Sequence, residues 1–255
     1  MLSFFRKIRQ KLLSQNRVTR YLVYALGEII LVVIGILIAL QVNNWNEERK
    51  TKAAEQKILK ALLEEFESNS KILDEAIALN KRIAQSAIEI GKFTGPSILP
   101  VDERKLSKLM VGAFKFDPSF VPNQGVILET VNSGKLSILS NPELRKTITN
   151  WLSDLERVKN QEEFVKNRLG VAHNYFISSG NFRRHLEIIT ESLIQVEPSR
   201  FGPNEFKFLE DPSFESNLYL CIVASENLNQ NIYPPLKERT EFIISLIKND
   251  LNERL

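Results

Sequence analysis

From Tyr21 to Val42 the chain reads YLVYALGEIILVVIGILIALQV, apolar all round a helix, with Glu28 as its one formal charge. At about 1.5 Å per residue this stretch rises roughly 33 Å, enough to cross a bilayer core of about 30 Å. The part after Glu28, Ile29 to Val42, would rise only about 21 Å, too little to cross alone. Glu28 is therefore expected just inside one membrane boundary. After Val42 the pattern becomes one-sided. Residues 46–90 hold no Pro or Gly, and Ile58, Leu62, Phe66, Ile72, Ala76, Leu79, Ile83, Ala87 and Ile90, with Asn69 in register, follow the helical steps of three and four. Leu59, Leu63, Leu73 and Ile77 widen the stripe, which favours a bundle helix with several neighbours over a two-stranded coiled coil.

Punctuation sets the later elements. Gly91 to Val101 holds two Gly and two Pro and reads as a loop. A helix is expected from Asp102 to near Gly112, a break at Asp117-Pro118 through Pro122, and a helix over 123–133 closed by Gly134 as a left-handed cap. Asn141-Pro142 supplies an N-cap and a first-turn proline for a helix to about Arg168. Residues 171–178 and 184–196 read as short helices, and Pro198 to Glu210 as a loop. Asp211-Pro212 repeats the start signal for a helix to about Asn229. Pro234-Pro235 predicts a break before a last helix over 236–253. No alternating strand pattern stands out. The expected fold class is all-α: a single N-terminal transmembrane helix continuing into an extracytoplasmic helical bundle of four longer helices and several short ones.

Charge orients the apolar segment. Residues 1–50 carry eight Lys/Arg against three Glu, whereas 51–255 carry twenty-six against twenty-eight acids. The body is thus slightly acidic, which argues against a nucleic-acid partner. Arg6, Lys7, Arg9, Lys11, Arg17 and Arg20 precede the apolar run with no acid among them, which holds that end in the cytoplasm. The expected division is 1–20 as a basic cytoplasmic N-terminus, 21–42 as the transmembrane helix and 46–255 as the extracytoplasmic domain. A cleaved signal peptide is the rival reading, but no small-x-small pair stands near Ala39–Trp45. A buried helix of a soluble protein would leave Tyr21 and Trp45, at the two ends of the run, unexplained. Phe4, Phe5, Ile8 and Leu12 would share one face of a surface helix over 4–15; the alternative is a frayed basic tail.

The run Gly27-Glu28-Ile29 through Gly35, Ala39 and Gln41 to Asn43-Asn44-Trp45-Asn46-Glu47 closely resembles the opening of a family of membrane-anchored proteins from Bacteroidota. That family is filed as a domain of unknown function. Phe4-Phe5-Arg6-Lys7-Ile8-Arg9 resembles its first residues, and Ser133-Gly134-Lys135-Leu136 with Asn141-Pro142-Glu143-Leu144-Arg145 gives a weaker second match. The resemblance implies a single-pass anchor in the inner membrane and a helical periplasmic body. It brings no activity and no catalytic residue.

Candidate chemistry is sparse. One cysteine, Cys221, and two histidines, His173 and His185, exclude a disulfide framework and a Cys/His zinc site. Ser133-Gly134-Lys135 lacks the earlier glycine and the following Ser/Thr of a phosphate loop, so a helix cap is the better reading. Cys221 lies in an apolar run and reads as a buried small hydrophobe. Arg183, Arg184 and His185 with Lys166 and Arg168 form a candidate anion site or a solvated basic face. Asn123, Asn132, Asn141 and Trp151 line a pocket or serve capping and packing. Glu28, an ionisable group in an apolar span, is a candidate functional residue, or a boundary residue paired with Arg17 or Arg20. Gly35 and Ala39 form a small-xxx-small pair suited to close helix contact. Glu28, Gly35, Ala39 and Trp45 are therefore the expected membrane and partner contacts. No catalytic, cofactor or metal site is expected. The leading reading is a non-enzymatic anchored protein whose partners are the lipid bilayer and a protein or a second copy. The alternative is an extracytoplasmic small-ligand sensor signalling through a partner.

Overall fold

The computed structural model describes residues 7, 10, 18–97, 99–189 and 197–252, with the side chains of 18–21 and 23 left out. The expected surface helix over 4–15, and the residues 190–196 of an expected short helix, lie outside the described residues, apart from Lys7 and Gln10. Among the described residues every regular element is helical. The chain divides into two compact units, Met1–Lys57 and Ile58–Leu255.

Helix α1, Val18–Gly91, runs through both units. From residue 36 to residue 90 it contains neither Gly nor Pro, so nothing local interrupts its hydrogen-bond ladder. In the second unit its buried positions are Leu59, Leu62, Phe66, Asn69, Leu73, Ala76, Asn80, Ile83, Ala87 and Ile90. These step by three and four, buried Glu65 and Ala84 lie beside them, and half-buried Ile58, Leu63, Ile72 and Ile77 broaden the face as a bundle requires.

The remaining helices are α2 (Glu103–Phe114), α3 (Gly125–Asn132), α4 (Pro142–Ser179), α5 (Phe182–Ile188), α6 (Pro212–Asn227) and α7 (Tyr233–Asn252). Local signals explain the starts of α2, α4 and α6. Asp102 accepts from Lys105 N, Asn141 from Glu143 N and Leu144 N, and Asp211 from Ser213 N. Gly134, at φ 73°, provides the left-handed turn after α3.

Two expectations are corrected. α4 does not stop near Arg168 but continues through Gly170 to Ser179. Gly170 is exposed, and a helix-interior glycine costs only about 1 kcal/mol, which buried Leu169, Ala172 and Phe176 on either side offset. Nor does Pro234-Pro235 break the chain. A π-helical turn, Leu228–Ile232, joins α6 to α7, and both prolines sit in the first turn of α7. Proline is tolerated there, at the cost of the N–H that would bond the carbonyl four residues earlier. Arg157 Nη2 of α4 donates to one such carbonyl, Asn231 O, at 3.2 Å.

Candidate functional site

The apolar segment of α1 is bare. Among its described side chains Leu26, Ile29, Leu31, Ile34, Ile36, Leu37 and Ile38 are all at least half exposed. The helix is long and apolar enough to cross a membrane, and none of its most apolar stretch is buried. Glu28, Gly35 and Ala39 are exposed on it. A Cβ added at Gly27 or Gly35 would meet nothing within 4 Å, so packing inside this chain does not require either glycine. Trp45 lies beyond the segment with the Arg49 guanidinium 5.7 Å from its ring centroid.

The second unit holds a different feature, a polar junction where α1 and α4 meet the π turn. Leu228 N donates to Ala224 O and Ser225 O at the end of α6, and side chains from both neighbouring helices add further bonds there. Asn80 Nδ2 donates to Ser225 O at 2.9 Å and to Asn229 Oδ1 at 2.9 Å. Gln161 Nε2 donates to Ala224 O at 3.2 Å. One residue further along α4, Glu162 Oε1 accepts from Tyr233 Oη at 2.7 Å and from Phe120 N at 2.8 Å. Glu162 is only 7% exposed, and burial raises its carboxyl to about 7 despite the two donors. The same burial, with the Glu162 charge beside it, raises the Tyr233 phenol.

Loop 115–124 is pinned from the α1 side as well. Asn69 accepts from Asn123 N at 2.7 Å and donates to Asn123 O at 2.8 Å. Glu65 accepts from Val126 N and Ile127 N, and so caps α3, whose own Gln124 makes no side-chain cap. Asn123 thus serves loop attachment. Asn141 caps α4, and Trp151 Nε1 donates to Thr240 Oγ1 at 2.8 Å while its ring meets Phe66 edge-on. Asn132 is exposed. These four residues are divided among separate surroundings.

The basic cluster is likewise divided. Arg184 pairs with Glu187 at 3.1 Å and Glu103 at 3.4 Å, Lys166 with Asp117 at 3.1 Å, and Arg168 lies over Phe164. His173 and His185 both meet Phe176, at centroid distances of 6.2 and 5.2 Å. His173 stacks on Phe114, and burial lowers its imidazole. Burial, and then the His173 charge, lower His185 to about 4. A neutral ring in an aromatic cluster is a packing element. Burial pushes the Cys221 thiol up to about 12, which removes it as a nucleophile at neutral pH. Among the described residues no three His, Cys, Asp or Glu are grouped to hold a metal ion.

Sequence reasoning missed Asn80, Glu162, Ser225, Asn229 and Tyr233. The available signal was positional. Asn80 continues the α1 seam between Ala76 and Ile83, and Glu162 falls between Val158 and Val165 in the buried register of α4. A polar residue on an apolar period is where a buried hydrogen-bonded group should be sought.

Residues 28–201 match a family of unknown function, DUF6090, and the chain belongs to that family. The matched span starts at Glu28, takes in Asn80 and Glu162, and ends before α6 and α7. No curated protein and no solved structure matches the chain.

Proposed function

We propose that this DUF6090 protein is a non-enzymatic, single-pass scaffold of the cell envelope. Residues 1–20 stay in the cytoplasm, 21–42 cross the inner membrane and 46–255 form a periplasmic helical domain that engages a protein partner or a second copy. The observation that carries the reading is the apolar segment of α1, exposed on every face. Such a helix has no cover in water, whereas a bilayer covers it and its own ladder satisfies the backbone. Two features support an uncleaved anchor over a signal sequence. No small-x-small pair stands near Ala39–Trp45, and α1 continues without interruption past Trp45 to Gly91. The six basic residues before Tyr21 support the orientation.

Gly35 and Ala39 offer a small surface on which a second helix can approach closely. Two measurements on the full chain test the proposal. A reporter that is active only in the periplasm, fused at residue 255, is expected to be active. Activity of a cytoplasm-only reporter there sinks the topology. Ala39→Leu places bulk where the helices would meet and is expected to lower crosslinking yield in native membranes without lowering the inserted amount. Glu28→Gln removes the charge while keeping the shape. Unchanged yield in both variants reduces the segment to a passive anchor.

A further inference from the structure

Three buried side-chain atoms beside the π turn have no hydrogen-bond partner in the protein. Asn80 donates through Nδ2 to Ser225 O and Asn229 Oδ1, but its own Oδ1 has no partner. Asn229 Nδ2 and Ser225 Oγ are also without one. Asn80 is fully buried and Ser225 is 1% exposed, so bulk solvent does not reach them. A buried polar atom left unpaired costs about 1–3 kcal/mol, and native proteins pair most such atoms with protein groups or ordered water.

The chemistry of the three atoms selects the occupant. Asn80 Oδ1 only accepts, Asn229 Nδ2 only donates, and the Ser225 hydroxyl does either. A cation would suit Asn80 Oδ1 and Ser225 Oγ but would face the Asn229 N–H. An anion would suit Asn229 and Ser225 but would face the Asn80 carbonyl oxygen. An apolar group satisfies none of them. Water both donates and accepts, and buried waters typically make about three hydrogen bonds to groups of this kind. We propose that the Asn80–Ser225–Asn229 joint binds one buried water, which donates to Asn80 Oδ1, accepts from Asn229 Nδ2 and bonds Ser225 Oγ. It satisfies these three side-chain atoms and ties α1 to the α6–α7 connection.

Ser225→Ala tests this by the sign of its effect. If the hydroxyl bonds a water, its loss is expected to raise the equilibrium unfolding constant of the detergent-solubilised full chain about 2- to 10-fold. If it is unpaired, its removal relieves a buried polar group and the variant is as stable as the parent or more so. Ser245→Ala, at an exposed position of α7, serves as the reference for the helix preference of alanine over serine. The matching structural observation is solvent density at about 2.7–3.2 Å from Asn80 Oδ1, Asn229 Nδ2 and Ser225 Oγ in a crystal structure of the full chain. Ser225→Ala no worse than Ser245→Ala overturns the proposal. So does a dry joint in which Ser225 Oγ turns to bond Asn80 Oδ1 directly.

Discussion

Replacing Glu162 by Gln tests whether the buried carboxyl is neutral in the folded chain. Its titration point rises from 4.5 to about 7 on folding, mainly because burial disfavours the charge. Between those values the folded state binds the proton and the unfolded state does not. Stability from this group is therefore full below about pH 4.5 and is lost as pH rises to about 7. At roughly 1.4 kcal/mol per unit, the loss above that window is on the order of 3 kcal/mol. Both observed donors, Phe120 N and Tyr233 Oη, address Oε1. Gln can keep that acceptor and place its amide nitrogen where the proton would sit, so it imitates the neutral acid. At about pH 8 Glu162→Gln is expected to unfold later than the parent by up to about 3 kcal/mol. For a body of this size that corresponds to about 6–12 °C. At about pH 4 the two should coincide. The assay is thermal unfolding of the full chain in detergent, followed by helical circular dichroism at both pH values. Parallel curves for parent and variant, or a variant weaker at high pH, would refute the neutral carboxyl and show that the two donors hold Glu162 charged.

The histidine cluster should respond in the opposite direction. His185 titrates at about 4 when folded against 6.5 in its ordinary state, so stability is lost as pH falls through that window, by about 3 kcal/mol. His185→Phe is expected to flatten the acid side of the stability curve, most cleanly measured in the Glu162→Gln background where the opposing slope is gone. Cys221 should resist a charged thiol reagent in the folded chain at neutral pH and react only on unfolding, because it is fully buried and its thiol is held near 12. Rapid labelling of native protein would contradict the burial.

Local physics was legible and non-local physics was not. The capping roles of Asp102, Asn141 and Asp211, and the left-handed turn at Gly134, need only three or four neighbouring residues, and the structure follows them. Pro234-Pro235 carries an equally strong local signal, yet the helical path survives. The donor that compensates, Arg157, comes from 74 residues away and cannot be inferred from spacing. Gly170 failed as a stop for a related reason, since the neighbours that hold it are Leu169, Ala172 and Phe176 buried against other helices. Where loss of a local hydrogen bond or of helix preference is worth about 1 kcal/mol, a single tertiary contact is enough to reverse the expectation.

Four polar residues on the buried faces share one role. Glu65 caps α3, Asn69 pairs with the backbone at Asn123, Asn80 takes Ser225 O, and Glu162 takes Phe120 N. In three of these a long regular helix meets a helix start or a loop, and in the fourth Asn80 meets the last turn of α6 just before the π turn. Irregular backbone inside a bundle must find partners for its N–H and C=O groups, and the flanking helices can offer only side chains. Within the apolar stripe these four residues look like flaws, and two carboxylates and two amides invite a catalytic reading. Each nonetheless bonds main-chain atoms of this protein, and Asn80 and Glu162 also bond the Asn229 and Tyr233 side chains. A group spent in that way is poorly placed to serve a substrate. Under the proposed interaction role, the search for a partner starts on exposed surface, at the apolar helix and its Gly35–Ala39 face.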